Sequence, residues 1–172
     1  MKNVYTKALY AVAIFCLSIV CLACGGTKTL SEKLDRLPGR AVLIADAKAQ
    51  GITLSAMEAL YPNGLPFAGD SVPAGYVQEW RGFVQGLARA LRDSGMVWNE
   101  PYYLWGRAYF APDGKVDHFF YHWTDKTGNR PTADWQARFG RVAEAYVASF
   151  RFGYSMNRRF AQCGGVLLQP AQ

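Results

Sequence analysis

His118 and His122 are the two histidines of this 172-residue chain, four positions apart with Asp117 beside the first. On a helix that spacing would chelate one metal ion. On a strand, residues four apart share a face but sit about 13 Å from each other, too far to share one. The aromatic run around them and the preceding Asp113-Gly114 read as strand and turn, and zinc wants three or four ligands where no third is visible. The pair is therefore expected to be structural or surface histidines, with no metal and no cofactor. As an acid–base couple it lacks a specified nucleophile or carboxylate partner. Asp46, Glu58, Asp70, Glu79, Asp93, Glu100, Asp125 and Glu144 are scattered over turns and helix faces, so spacing nominates no glycosidase-type pair. Gly25-Gly26 and Gly164-Gly165 lack the companions of a phosphate loop, and no serine elbow occurs. Arg158-Arg159 reads as a solvated strand edge. No catalytic residue is nominated.

Aromatic residues offer the other chemistry. They make up 15% of the chain, and Tyr102, Tyr103, Trp105, Tyr109, Phe119, Tyr121 and Trp123 crowd into one segment. On strands, alternate members point to opposite faces. One face must pack on helices, so part of the set is expected outside, able to stack sugars, peptides or partner side chains. Trp105, Tyr109, Tyr121 and Trp123 are the candidate binding residues. The competing reading is that loops or residues 27–60 cover them, or that they are ordinary cross-strand pairs.

Periodicity supplies the elements that must position these residues. From Tyr76 onward, Trp80, Phe83, Val84, Leu87, Ala88 and Leu91 recur at three- and four-residue steps, with polar residues opposite. The pattern predicts an amphipathic helix over 76–94, stopped by Gly95. Gly82 and Gly86 weaken it by about 1 kcal/mol each and would let another backbone approach closely. Pro112-Asp113-Gly114 is turn chemistry, so the segment 102–123 reads as a hairpin. Thr132 caps a second helix over 133–150, with Asp134 near its positive end; Trp135, Phe139, Val142, Tyr146 and Phe150 form its stripe. A last strand lies within 158–168, kinked at Gly164-Gly165. Upstream, Ser31 caps a short helix over 32–37, 41–45 is either a strand or a buried helical turn, 53–60 is a helix, and a loop runs on to Gly75. The fold class is α+β: a small antiparallel sheet, made of the hairpin and the C-terminal strand, packed on one face against the two amphipathic helices. One domain, 41–172, follows a tether with a short helix at 24–40.

The N-terminus has the parts of an export signal. Lys2 and Lys7 flank a charged start, and Ala8 to Ala23 form an uncharged, mostly apolar run. Sixteen helical residues rise roughly 24 Å, short of the roughly 30 Å that a spanning helix must cross, so 1–23 reads as a cleaved signal peptide. Leu22-Ala23-Cys24-Gly25 resembles a bacterial lipobox, which implies lipidation of Cys24; Cys21 stands where lipoboxes usually carry Leu. Cleavage after Ala23 to give a soluble periplasmic protein is the alternative. Cys16 and Cys21 leave with the signal, so Cys163 is the lone free thiol, expected as a buried, inert sulfhydryl. Without Lys2 and Lys7 the formal charge falls from +6 to +4. This mild basicity suits anionic lipid or cell-wall polymer, and no basic run points to nucleic acid.

Arg107-Ala108-Tyr109-Phe110, then Asp113-Gly114-Lys115-Val116, the helix over 133–150 and Phe150-Arg151-Phe152 follow one another in the order strand, Asp-Gly turn, strand, helix, aromatic-basic-Phe junction. In this, residues 105–152 resemble the C-terminal domain of TonB-type energy transducers. Leu60-Tyr61-Pro62 is similar to the family's Tyr-Pro segment, although a whole helix intervenes before the hairpin. Transducers keep an uncleaved inner-membrane helix and a long Pro-rich spacer, and this chain shows neither. The resemblance therefore implies the fold and a mode of binding in which a sheet edge pairs with an extended partner segment. The expectation is a lipid-anchored envelope protein, a non-catalytic binding or assembly module, attached to a membrane by its anchor, with an envelope protein or cell-wall partner. The alternative is an envelope enzyme acting on cell-wall polymer; a third reading is a chiefly structural lipoprotein.

Overall fold

A computed structural model describes residues 29–62, 75–154 and 156–170. The expected signal peptide 1–23 with Cys16 and Cys21, the expected lipidation site Cys24 and the first residues of the expected tether lie outside the described residues.

Alternation organises the sheet. In β2 (Tyr102–Phe110), Leu104, Gly106, Ala108 and Phe110 point one way and Tyr103, Trp105, Arg107 and Tyr109 the other. The chain turns at Gly114 (φ 80°) and returns antiparallel as β3 (Val116–Thr124). The partner strand β4 (Phe160–Leu168) runs antiparallel along the far side of β2, in unbroken register from Tyr102↔Leu168 to Phe110↔Phe160. The expected kink at Gly164-Gly165 is thus absent from the pairing. The glycines instead admit aromatic rings: a side chain at Gly164 would meet the Trp80 indole, and one at Gly165 would meet the Tyr103 hydroxyl.

The sheet is mixed rather than purely antiparallel. Strand β1 (Ala41–Leu43) pairs in parallel with Phe119–Tyr121 of β3, giving the order β1-β3-β2-β4. Helix α2 (Ile44–Ala49) follows without a break, so strand and helix share the apolar run at 41–45.

Two helices cover the front face. In α4 (Tyr76–Asp93), Tyr76, Phe83, Leu87 and Leu91 are buried. Its end is a Schellman arrangement: Met96 N–H donates to Leu91 O (3.1 Å) and Gly95 N–H to Arg92 O (2.9 Å), with Gly95 at φ 74°. Helix α5 (Ala133–Ser149) starts at Thr132, whose hydroxyl accepts from Trp135 N–H. Phe139, Ala143 and Val147 are its buried line, flanked by half-buried Trp135, Val142, Tyr146 and Phe150. At Gly86 the close neighbour is the Tyr146 ring, not a backbone, and its hydroxyl donates to Phe83 O at 2.9 Å. Gly82 has open space beside it.

The back face is half covered, which the one-sided packing expectation lacked and the competing reading, cover by residues 27–60, had in part. Helix α1 (Leu30–Leu34) is capped by Thr29 in a capping box with Glu32, not by Ser31. Together with α2 and α3 (Leu54–Leu60), it brings Val42, Ala47, Ile52, Met57 and Tyr61 against Tyr109, Phe120 and Ala161. Residues 30–37 therefore belong to the packed body: Leu30, Leu34 and Leu37 lie on this second core.

Candidate functional site

Four rungs cross the back face. Reading over β3, β2 and β4, they are Thr124–Tyr103–Leu167, His122–Trp105–Gly165, Phe120–Arg107–Cys163 and His118–Tyr109–Ala161. The N-terminal helices cover the β3 and β2 side chains of the last two rungs. The first two are left open and form a groove of about 820 Å³ lined by Ile44, Ala45, Lys48, Leu54, Tyr103, Trp105, His122, Thr124 and Lys126.

Strand and helix geometry holds the lining groups, except Lys126, which lies in the turn just after β3. The Trp105 and His122 rings lie 5.6 Å apart and tilted by 34°, a cross-strand pair on the groove floor. Lys126 Nζ sits 4.5 Å from the Tyr103 ring centre and 3.5 Å from its hydroxyl. Leu54 (36% exposed) and Leu167 (44%) add open apolar surface beside the floor. Arg107 marks the border with the covered half. It is 5% exposed, paired with Glu58 of α3 at 3.1 Å, and lies over the Tyr109 ring at 5.6 Å.

Of the four nominated binding residues, only Trp105 reaches this groove. Tyr109 is fully buried beneath Tyr61, and burial pushes its phenol up to about 12. Tyr121 and Trp123 lie on the front face, packed against Phe139 at 5.0 and 4.9 Å. The reason is a bulge. Tyr109 pairs with His118 but Phe110 with Val116, so Asp117 is an extra residue that inverts the phase of β3 relative to β2. Trp105 consequently meets His122 rather than Tyr121. Cys163 is exposed, not buried, because no helix crosses its place on the edge strand. Lys48, Leu54 and Lys126 are not among the nominated residues; they come from two short helices and a turn, and only the fold unites them.

The two histidines share a face but are separated by Phe120 and face different surroundings. His118 borders a polar pocket of about 380 Å³ with Arg40, Tyr61, Asp117 and Arg159. There Tyr61 donates to Asp117 at 2.9 Å and Arg159 approaches the same carboxylate at 3.8 Å. Among the described residues, no group of three or more His, Cys, Asp and Glu side chains is placed to hold a metal ion. Burial lowers the His118 pKa below its usual 6.5, against the pull of Asp117, and Arg40 adds to the lowering. The folded state thus holds a neutral imidazole where the unfolded chain takes up a proton. His118 costs no stability above about pH 6.5 and destabilises the fold progressively as pH falls below it. Urea midpoints should drop between about pH 7.5 and about pH 5.5, and His118→Asn should shrink that drop. An equal drop in both proteins would show that His118 is not the proton-linked group.

Comparison of the chain with protein-family models, with curated proteins and with solved structures finds no match.

Proposed function

We propose that this chain is a lipid-anchored envelope protein whose folded domain works by binding, through the open half of the back face and the adjoining free edge of β4. The observation that carries the reading is the Trp105–His122 rung. A domain that buries most of its aromatic side chains leaves this pair on the floor of an apolar groove, beside exposed Leu54 and Leu167. Concave, largely apolar surfaces with a few polar groups are the usual form of a ligand site. Strand β4 is the outer strand of the sheet order, so its outer backbone groups are available for an extended partner segment, as the transducer-like reading requires.

The anchor rests on the N-terminal pattern ending at Cys24. Among the described residues, no helix is long and apolar enough to cross a membrane. Four residues lie between Cys24 and Thr29, so the five backbone steps reach at most roughly 18 Å. An acyl chain on Cys24 would therefore hold the groove close to a bilayer.

One experiment in cells tests both halves. With a palmitate analogue in the medium, the wild-type chain should take up label and Cys24→Ser should not. A photo-crosslinking residue at Leu167 should give adducts that Trp105→Ala reduces several-fold, while the same residue at Arg81 on the exposed side of α4 should give none. Absence of label in the wild type removes the anchor. Absence of any adduct at Leu167 removes the binding surface.

A further inference from the structure

We infer that the occupant of the back-face groove is a single-chain amphipathic anion: a long acyl chain ending in a carboxylate. The inference deepens the binding reading and rests on it.

The lining divides by chemistry. Ile44, Ala45, Leu54 and the ring faces of Trp105 and Tyr103 offer an apolar bed, with His122 and Thr124 as polar neighbours on the β3 side. Its volume of about 820 Å³ falls within the roughly 300–1,000 Å³ of small-molecule sites. The charged groups on the lining are two lysines, Lys48 and Lys126, and no carboxylate lines the groove. Of the acids nearby in sequence or space, Glu58 pairs with Arg107 at 3.1 Å, Asp125 has Arg130 at 3.9 Å, and Asp46 lines a different pocket with Tyr121. Neither lysine is in an ion pair among the described residues.

That arrangement selects among apolar ligands. An uncharged chain would fill the bed but leave two ammonium groups beside it without a counter-charge. A cationic chain would be repelled. A chain with an anionic end satisfies both parts at once, since partial desolvation beside the apolar bed strengthens the attraction between carboxylate and ammonium. Lys126 is suited to this role because its ammonium rests over the Tyr103 ring at 4.5 Å. A ring face positions the cation without neutralising it.

The test uses the full chain, purified in discs of neutral phosphatidylcholine and titrated with dodecanoate, with empty discs as the blank. Saturable binding of one dodecanoate per chain is expected, tightening about two- to fourfold for each added methylene. Lys48→Gln with Lys126→Gln should weaken it about fivefold and leave binding of dodecanol, already weaker, unchanged. Circular dichroism confirms that the double variant is folded. No saturable binding, dodecanol binding as tightly as dodecanoate, or no effect of the two lysines would each overturn the inference. The mass of the adduct at Leu167 separates its failure from that of the underlying reading. A lipid-sized adduct supports the inference, a protein-sized one overturns it while sparing the binding surface, and no adduct removes both.

Discussion

Replacing Phe83 with alanine is expected to destabilise the domain by about 3–5 kcal/mol, a large fraction of the roughly 5–15 kcal/mol that holds a domain of this size together. Phe83 is fully buried at the place where both long helices meet the sheet. Its ring lies 5.2 Å from Trp80, 6.5 Å from Phe110, 5.4 Å from Phe119, 5.5 Å from Tyr146 and 5.0 Å from Phe150. Those neighbours cannot readily close the hole. Phe119 is seated over Gly106, and Tyr146 is tied to the Phe83 carbonyl. A cavity that persists costs its lost contacts in addition to the lost transfer of the ring from water. Phe83→Leu should cost less, about 1–2 kcal/mol, and Arg81→Ala on the exposed face should stay within about 0.5 kcal/mol of wild type. Urea unfolding would report the first as a lower midpoint at unchanged slope. A loss below about 1 kcal/mol would mean that this ring is not the centre of the core.

That residue also shows what was legible in advance. Phe83, Leu87 and Leu91 announce their helix because 3.6-residue spacing needs no knowledge of the partner surface. The Thr132 cap, the Gly95 stop and the Asp113-Gly114 turn were equally readable, since each depends on a few neighbouring atoms. Strand β1 was not. Its three residues, Ala41–Leu43, are too few to carry a period, and only parallel pairing with Phe119–Tyr121 makes them a strand. The N-terminal cover was readable only as the competing reading, cover by residues 27–60, for a related reason. Helices α1, α2 and α3 have five, six and seven residues, each with little apolar surface until Tyr109 and Phe120 supply the other side.

For the site, residue type was informative and phase was not. Trp105 was nominated and lies in the groove, whereas Tyr121 and Trp123 were nominated and face the helices. A hairpin without a bulge would continue the Phe110↔Val116 pairing up the ladder and place Trp105 opposite Tyr121. The extra residue at Asp117 moves every β3 side chain above it to the other face relative to β2, because the period of a strand is two. What holds the bulge is tertiary: the Asp117 carboxylate accepts from Tyr61, more than fifty residues away in sequence. Local reading had no access to that bond.

The second large effect is expected at the turn that starts this ladder. Gly114→Ala should cost about 2–4 kcal/mol, from two separate sources. A non-glycine residue at φ 80° pays about 1–2 kcal/mol for the left-handed backbone. A Cβ there would also run into the backbone carbonyl of Phe152, which is not free to move. Phe152 N–H donates to Gly114 O at 2.8 Å and Met156 N–H to Pro112 O at 2.9 Å. The Lys115 and Arg151 backbones form an isolated antiparallel β-bridge, and the Arg151 side chain reaches Asp113 at 3.3 Å. Asparagine separates the two causes, because it tolerates the left-handed region but still carries a Cβ. Gly95 has a similar φ of 74° and open space beside it. Gly95→Asn should therefore be nearly neutral, while Gly114→Asn should keep the clash and so about half of the cost of Gly114→Ala. Equal urea midpoints for the two asparagine variants would show that the dihedral alone requires glycine at 114. Unequal ones, with Gly114→Asn the lower, would show that the turn is clamped against the segment leading into β4, and so that the clamp helps to fix the strand bordering the groove.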